Sequence, residues 1–230
     1  MKGYGQFCPV AKASEILAER WTPLILRELL FGSSRFNDIH RGVPLMSRAL
    51  LSRRLRRLVD QGVIERRTSG AHRGPEYHLT EAGAELGPIL EQIGVWGARW
   101  VRSRLETEDL DAAVLMWDIR RNAQPARFPQ SRVVVAFRFL DGPRSRRFWW
   151  MISDGGKVDL CAVDPGFEAD LAVVTDLRTL TSIWLGDCRL AAACDTGHVE
   201  LQGPAMLREH FEEWLGLSAF ARVGPAIHRG

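Results

Sequence analysis

Residues 33–80 read SSRFNDIHRGVPLMSRALLSRRLRRLVDQGVIERRTSGAHRGPEYHLT, and the order of signals along them decides the fold of the first half of the chain. Ser33 or Ser34 starts a short helix that runs to Arg41, and Gly42-Val43-Pro44 breaks it. Ser47 is a good N-cap for the next helix, which ends near Gly62. Leu51, Leu55, Leu58 and Val59 recur at i, i+4, i+7 and i+8 and give that helix one apolar face. The opposite face carries Ala49, Ser52, Arg53, Arg56 and Arg57. Residues 63–68 and 76–79 then read as two short strands around a Gly-rich turn.

Two helices joined by a tight turn, the second with an arginine row and followed by a hairpin with a basic tip, make a winged helix-turn-helix. That arrangement aims cationic side chains at a duplex. The expected DNA-facing set is Arg35, Ser47, Arg48, Ala49, Ser52, Arg53, Arg56, Arg57, Arg66, His72 and Arg73. Ser52 and Arg53 fall nearest the bases, while Arg56, Arg57 and Arg73 fall on the phosphate backbone. Arg54 belongs to the same arginine-rich patch.

Working outward, Cys8-Pro9 begins a helix to about Glu19, with proline at the first helical position. Thr22 is expected to cap a second helix that Gly32 ends. Its Leu24, Ile25, Leu26, Leu29 and Leu30 are too apolar for a surface helix and mark the centre of this domain. On the far side, Thr80 caps a last helix that Gly87-Pro88 interrupts. Ile89, Ile93, Trp96 and Trp100 then form a stripe at i, i+4, i+7 and i+11 with no obvious partner in so small a domain. A second subunit or the C-terminal half could cover it.

These residues resemble the HxlR-type transcriptional regulators. The resemblance spans about residues 5–105 and rests on CPVAKASEILAERWTPLILRELLFGSSRFNDI, LLSRRLRRLVDQGVIERR, PEYHLTEAGAEL and Trp96-Gly97. It implies a winged-helix DNA-binding homodimer whose first and last helices make the dimer contact, so that Ile89, Ile93, Trp96 and Trp100 become interface residues. Some members of that family sense oxidants or electrophiles through a cysteine placed as Cys8 is. The alternative for Cys8 is a small buried apolar residue.

The bulk numbers agree with a divided chain. Residues 1–104 hold 17 Lys and Arg against 10 Asp and Glu, 17 − 10 = +7; residues 105–230 hold 14 against 18, 14 − 18 = −4. A polyanion would meet the first half. No apolar run is long enough for a membrane span, no signal-peptide pattern opens the chain, and four scattered cysteines suit a reducing cytoplasm. The expected organisation is 1–104, a linker at 105–112 and a second domain over 113–230. No cofactor, metal site or catalytic constellation is expected, and the chain reads as a binding protein rather than an enzyme.

In the second half the period becomes two. Val133, Val135, Phe137 and Phe139 share one face of a strand, and further strands are expected at 147–152, 157–163, 169–174 and around Val199 and Leu201. Helices are expected at 113–121, from Leu177 to Gly186, and at 204–215. The outcome is an α+β domain, a curved sheet with helices on one side. The segment DLAVVTDLRTLTSIWLGDCRLAAACDTGHVELQG (170–203) and the helix after it resemble the sterol-carrier-protein type of lipid-binding fold. That resemblance implies an apolar cavity, with Trp149, Trp150, Phe167, Trp184 and Trp214 as candidate linings and a small apolar molecule as ligand. The two expected functions are a homodimeric DNA-binding repressor whose C-terminal domain binds such a molecule or extends the dimer contact, and a carrier of apolar ligands with a degenerate winged-helix module.

Overall fold

Two separate buried clusters go with two compact units, Met1–Gly94 and Val95–Gly230, in a computed structural model that describes residues 3–68, 74–101, 106–143 and 146–224. Each unit has its own buried cluster, and the two clusters share no residue. No helix of the described residues is long and apolar enough to cross a membrane.

The first unit starts with α1 (Pro9–Leu17) and α2 (Thr22–Leu30). Thr22 is the first residue of α2 rather than its cap; Trp21 holds the cap position at φ 79°, the left-handed region that bulky residues rarely enter. Ile25, Leu26 and Leu29 are buried as expected, whereas Leu24 and Leu30 are exposed. α3 (Phe36–Gly42) and α4 (Arg48–Asp60) follow. The Ser47 hydroxyl accepts the Leu50 N–H at 3.3 Å and caps α4, and Leu51, Leu55 and Leu58 close the core beneath it.

β1 (Ile64–Thr68) and β2 (Pro75–Leu79) pair antiparallel with Arg66 opposite Tyr77. β2 also bridges back to the segment before α3, through Tyr77 N–H to the Ser34 carbonyl at 2.8 Å and the Arg35–Glu76 bridge. The hairpin is thereby fastened to the helix-turn-helix. Thr80 caps α5 (Glu81–Ala84) by accepting the Gly83 N–H at 3.1 Å. Gly83 has no substitute here, because a Cβ would lie 2.1 Å from the Val63 carbonyl oxygen. The break before α6 (Leu86–Trp100) comes at Glu85, earlier than expected. Gly87-Pro88 sits inside the first turn of α6, where a missing N–H breaks no helical bond.

The second unit holds α7 (Ala112–Asn122), β3 (Val133–Phe139), β4 (Phe148–Asp154), β5 (Lys157–Cys161), β6 (Leu171–Thr175), α8 (Leu177–Leu185), α9 (Leu190–Asp195), β7 (Val199–Gln202), α10 (Ala205–Glu209) and α11 (Phe211–Leu215). The five strands stand in the order β5-β4-β3-β6-β7; only the β3–β6 pair is parallel. Val133, Val135, Phe137 and Phe139 do share one face, and they pack with Trp149, Met151, Leu171, Val173 and the apolar sides of α7, α8 and α11. The closing helix expected at 204–215 is two short helices, since His210 ends α10 and begins α11.

Candidate nucleic-acid interface

The leucine stripe of α4 fixes which of its arginines face outward. Arg48, Ala49, Arg53 and Arg56 are exposed, and Ser52 is half-buried beside them. Arg53 and Arg56 have no hydrogen-bond or ion-pair partner among the described residues. Ser47 is exposed at the head of the helix with its hydroxyl committed to the cap. Arg48 is held in place: its guanidinium lies over the Phe36 ring at 4.9 Å and donates to the Asn37 side chain at 2.6 Å. The turn between α3 and α4 is thus braced by the Arg48 side chain.

The other two arginines behave differently. Arg54 is nearly buried and ion-paired with Glu19, and Arg57 donates to the same carboxylate at 2.9 Å. Burial, and after it the neighbouring Arg57 cation, holds the Arg54 pKa below the ordinary arginine value. Beside this junction is a cavity of about 270 Å³ lined by Gly3, Tyr4, Ser14, Glu15, Ala18, Glu19 and Arg57. Sequence reading missed Glu19. It lies 38 residues before Arg57, and no local pattern connects the two.

On the hairpin, Arg66 is exposed, and Arg67 is paired with Glu65. Arg35, half exposed, reaches Glu76 at 3.5 Å. His72 and Arg73 lie outside the described residues.

A second surface is apolar. Ile89, Ile93, Trp96 and Trp100 are all exposed, Trp96 by 60%. Tyr4, Phe7 and Val10, around the start of α1, are exposed as well. Cys8 is exposed at the cap position of α1 rather than buried, and its carbonyl accepts the Lys12 N–H at 3.1 Å.

Residues 16–105 match the model of the HxlR-like helix-turn-helix family. The HTH-type transcriptional regulator YvaP of Bacillus subtilis is 40% identical over 100 residues, which make up 42% of this chain and 91% of that protein. The chain belongs to the HxlR-like family. The HTH-type transcriptional regulator Mb3122 of Mycobacterium bovis is 42% identical over 95 residues, 40% of this chain and 58% of that protein. The reduced form of the transcriptional regulator YodB from B. subtilis is 27% identical and aligns over 43% of this chain and 98% of that one, with a TM-score of 0.36. The HxlR-like match ends at residue 105, so the sheet-and-helix unit lies almost wholly beyond it.

In that unit the candidate lining residues of this HxlR-like chain part company. Trp149 and Trp214 are buried in the core, where Trp214 stacks on Phe128 at 5.0 Å, and Trp184 packs against the same cluster. Trp150, next to Trp149 on the strand, faces the other side of the sheet and stacks on Phe148 at 6.2 Å. Phe167 is exposed in a loop under the Arg132 guanidinium at 4.7 Å. The indole N–H groups of Trp184 and Trp214 are buried and have no acceptor among the described residues.

Proposed function

We propose that this chain is a DNA-binding transcriptional repressor that acts as a homodimer and catalyses no reaction. Each subunit lays the exposed face of α4 in a major groove, with Arg53 and Ser52 near base edges and Arg48 and Arg56 on the flanking phosphates. Arg35 and Arg66 follow the backbone beside the groove. The stripe from Ile89 to Trp100 meets its counterpart in the second subunit. A two-fold dimer reads a pseudo-palindromic operator with half-sites roughly 34 Å apart. The observation that carries this reading is the pair of solvent-facing guanidiniums Arg53 and Arg56, without a partner among the described residues, on a helix whose other face is locked into the core.

The second unit is, in this reading, a domain of sterol-carrier type that takes a small apolar effector. Two buried indole N–H donors without acceptors among the described residues support a ligand that is apolar but carries an acceptor oxygen. Cys8, exposed at the start of α1, is available to oxidants or electrophiles.

Gel retardation of duplexes drawn from the regions upstream of its own and neighbouring genes tests the DNA-binding reading. Affinity is expected to fall steeply with salt. Arg53→Ala should relax sequence choice, and Arg66→Ala should weaken binding to every sequence alike. Absence of retardation at low ionic strength would refute the reading.

A further inference from the structure

We propose that Glu19 is a charge clamp: it withholds Arg54 and Arg57 from nucleic acid, so that α4 presents only its outer arginines to a duplex. The inference rests on the DNA-binding reading above and revises the backbone role expected for Arg57.

The geometry is specific. Arg54 and Arg57 lie one turn apart on the flank of α4, and Glu19, just past the end of α1, is ion-paired with both. Two like charges at i, i+3 repel when left alone. A shared carboxylate removes that repulsion and fixes where both side chains point. Only 12% of the Arg54 side chain and 13% of the Glu19 side chain are exposed, so salt screens this pairing weakly. Arg57 is 33% exposed and is the arginine that loss of the carboxylate would release. Arg53 and Arg56, on the outward face, are untouched by the clamp.

The consequence is functional rather than merely structural. Each cation that neutralises a phosphate adds sequence-independent affinity and steepens the salt dependence by about 0.9 in log–log slope. Sequestering one arginine per subunit therefore removes roughly 1.8 from the slope of a dimer, or about 12-fold in affinity change between about 50 and 200 mM salt. A regulator held in this way spends more of its contacts on base edges relative to backbone.

The test is a salt titration of duplex binding by the full chain, followed by fluorescence anisotropy, on one retained fragment and one unrelated duplex. Arg56→Gln is expected to flatten the slope by about 1.8 per dimer. Arg57→Gln is expected to leave it unchanged, and Glu19→Gln to steepen it by about the amount that Arg56→Gln removes. A purely structural role for Glu19 would lower stability without steepening the slope. If Glu19→Gln does not fold, Arg57→Gln still decides, because it leaves the Arg54–Glu19 pair in place. Equal flattening by Arg57→Gln and Arg56→Gln overturns the clamp alone. Failure of the unaltered protein to bind any duplex overturns the DNA-binding reading and the clamp with it.

Discussion

Replacing Trp96 by alanine probes the proposed dimer most sharply, because Trp96 is the most exposed member of the α6 stripe. The residue is 60% exposed. Tryptophan offers roughly 200 Å² to burial, so about 120 Å² is available to a partner, worth about 3 kcal/mol at ~25 cal/mol per Å². The residue occurs once in each subunit. Full coverage at the interface would then make the dimer about 6 kcal/mol weaker in the variant, a rise of about 10⁴ in the dissociation constant, and half coverage would still give about 10². The change removes no core contact, so the monomer should keep its thermal stability.

Sedimentation equilibrium over a dilution series gives the dissociation constant directly. Glu91→Ala is the control, since Glu91 is exposed and lies about 180° around the helix from the stripe at 100° per residue. The expected result is a dimer weakened by at least 10² in Trp96→Ala and unaffected in Glu91→Ala. Equal dimerisation of the Trp96 variant and the unaltered chain would refute the assignment of this face to a second subunit.

Two further outcomes follow from the second unit. The Asp176 carboxylate caps α8, accepting the Thr179 N–H at 2.8 Å and its hydroxyl at 2.6 Å; burial acts to raise its pKa, but these hydrogen bonds outweigh it and hold the carboxyl below its usual 3.8. A depressed folded-state pKa contributes stability above the unfolded value and loses it as pH falls through the folded one, so Asp176→Ala should cost about 1 kcal/mol in urea melts near neutrality, and the difference should shrink below about pH 4. Phe137, fully buried against Phe211 at 6.1 Å, should cost about 3–5 kcal/mol when cut to alanine; because the two cores share no residue, urea melts should show a loss confined to the second unit, and an equal loss in the first unit's transition would contradict their independence.

What the sequence disclosed was local. The cap at Ser47, the stripe Leu51–Leu55–Leu58 and the alternation Val133–Val135–Phe137–Phe139 each lie within a few turns or one strand, and the structure places them as the periodicity predicts. The breaks were harder. Gly87-Pro88 reads as an interruption, yet a proline in the first turn is harmless, and the helix starts ahead of it at Leu86. Trp21 at a left-handed φ was unreadable, because nothing in composition predicts a tryptophan where glycine or asparagine is usual. The five aromatics grouped as one lining could not be sorted without the sheet register, which turns Trp149 inward and Trp150 outward. The Glu19–Arg57 contact spans 38 residues and exists only because the segment after α1 meets the flank of α4 in the folded unit.

The charge split illustrates why a net charge locates a function only coarsely. The first half carries a surplus of +7, but much of its positive charge is already answered. Lys12 is paired with Glu15, Arg27 with Glu28, Arg35 with Glu76, Arg41 with Asp38, Arg67 with Glu65, and Arg54 and Arg57 with Glu19. The exposed pairs among these, such as Arg41–Asp38 and Arg67–Glu65, add little stability. What they do change is the field, since a paired cation contributes little at the distance from which a polyanion is drawn in. Arg48, Arg53, Arg56 and Arg66 have no carboxylate partner among the described residues, and all four are exposed. Arg20 and Arg99 are exposed without one as well, so the acids of the first half leave a large share, though not all, of its unpaired charge on the outer face of α4 and the adjoining hairpin. Reversing one of these pairings, as at Glu19, should broaden the positive region and increase binding to arbitrary DNA before it affects recognition of any one sequence.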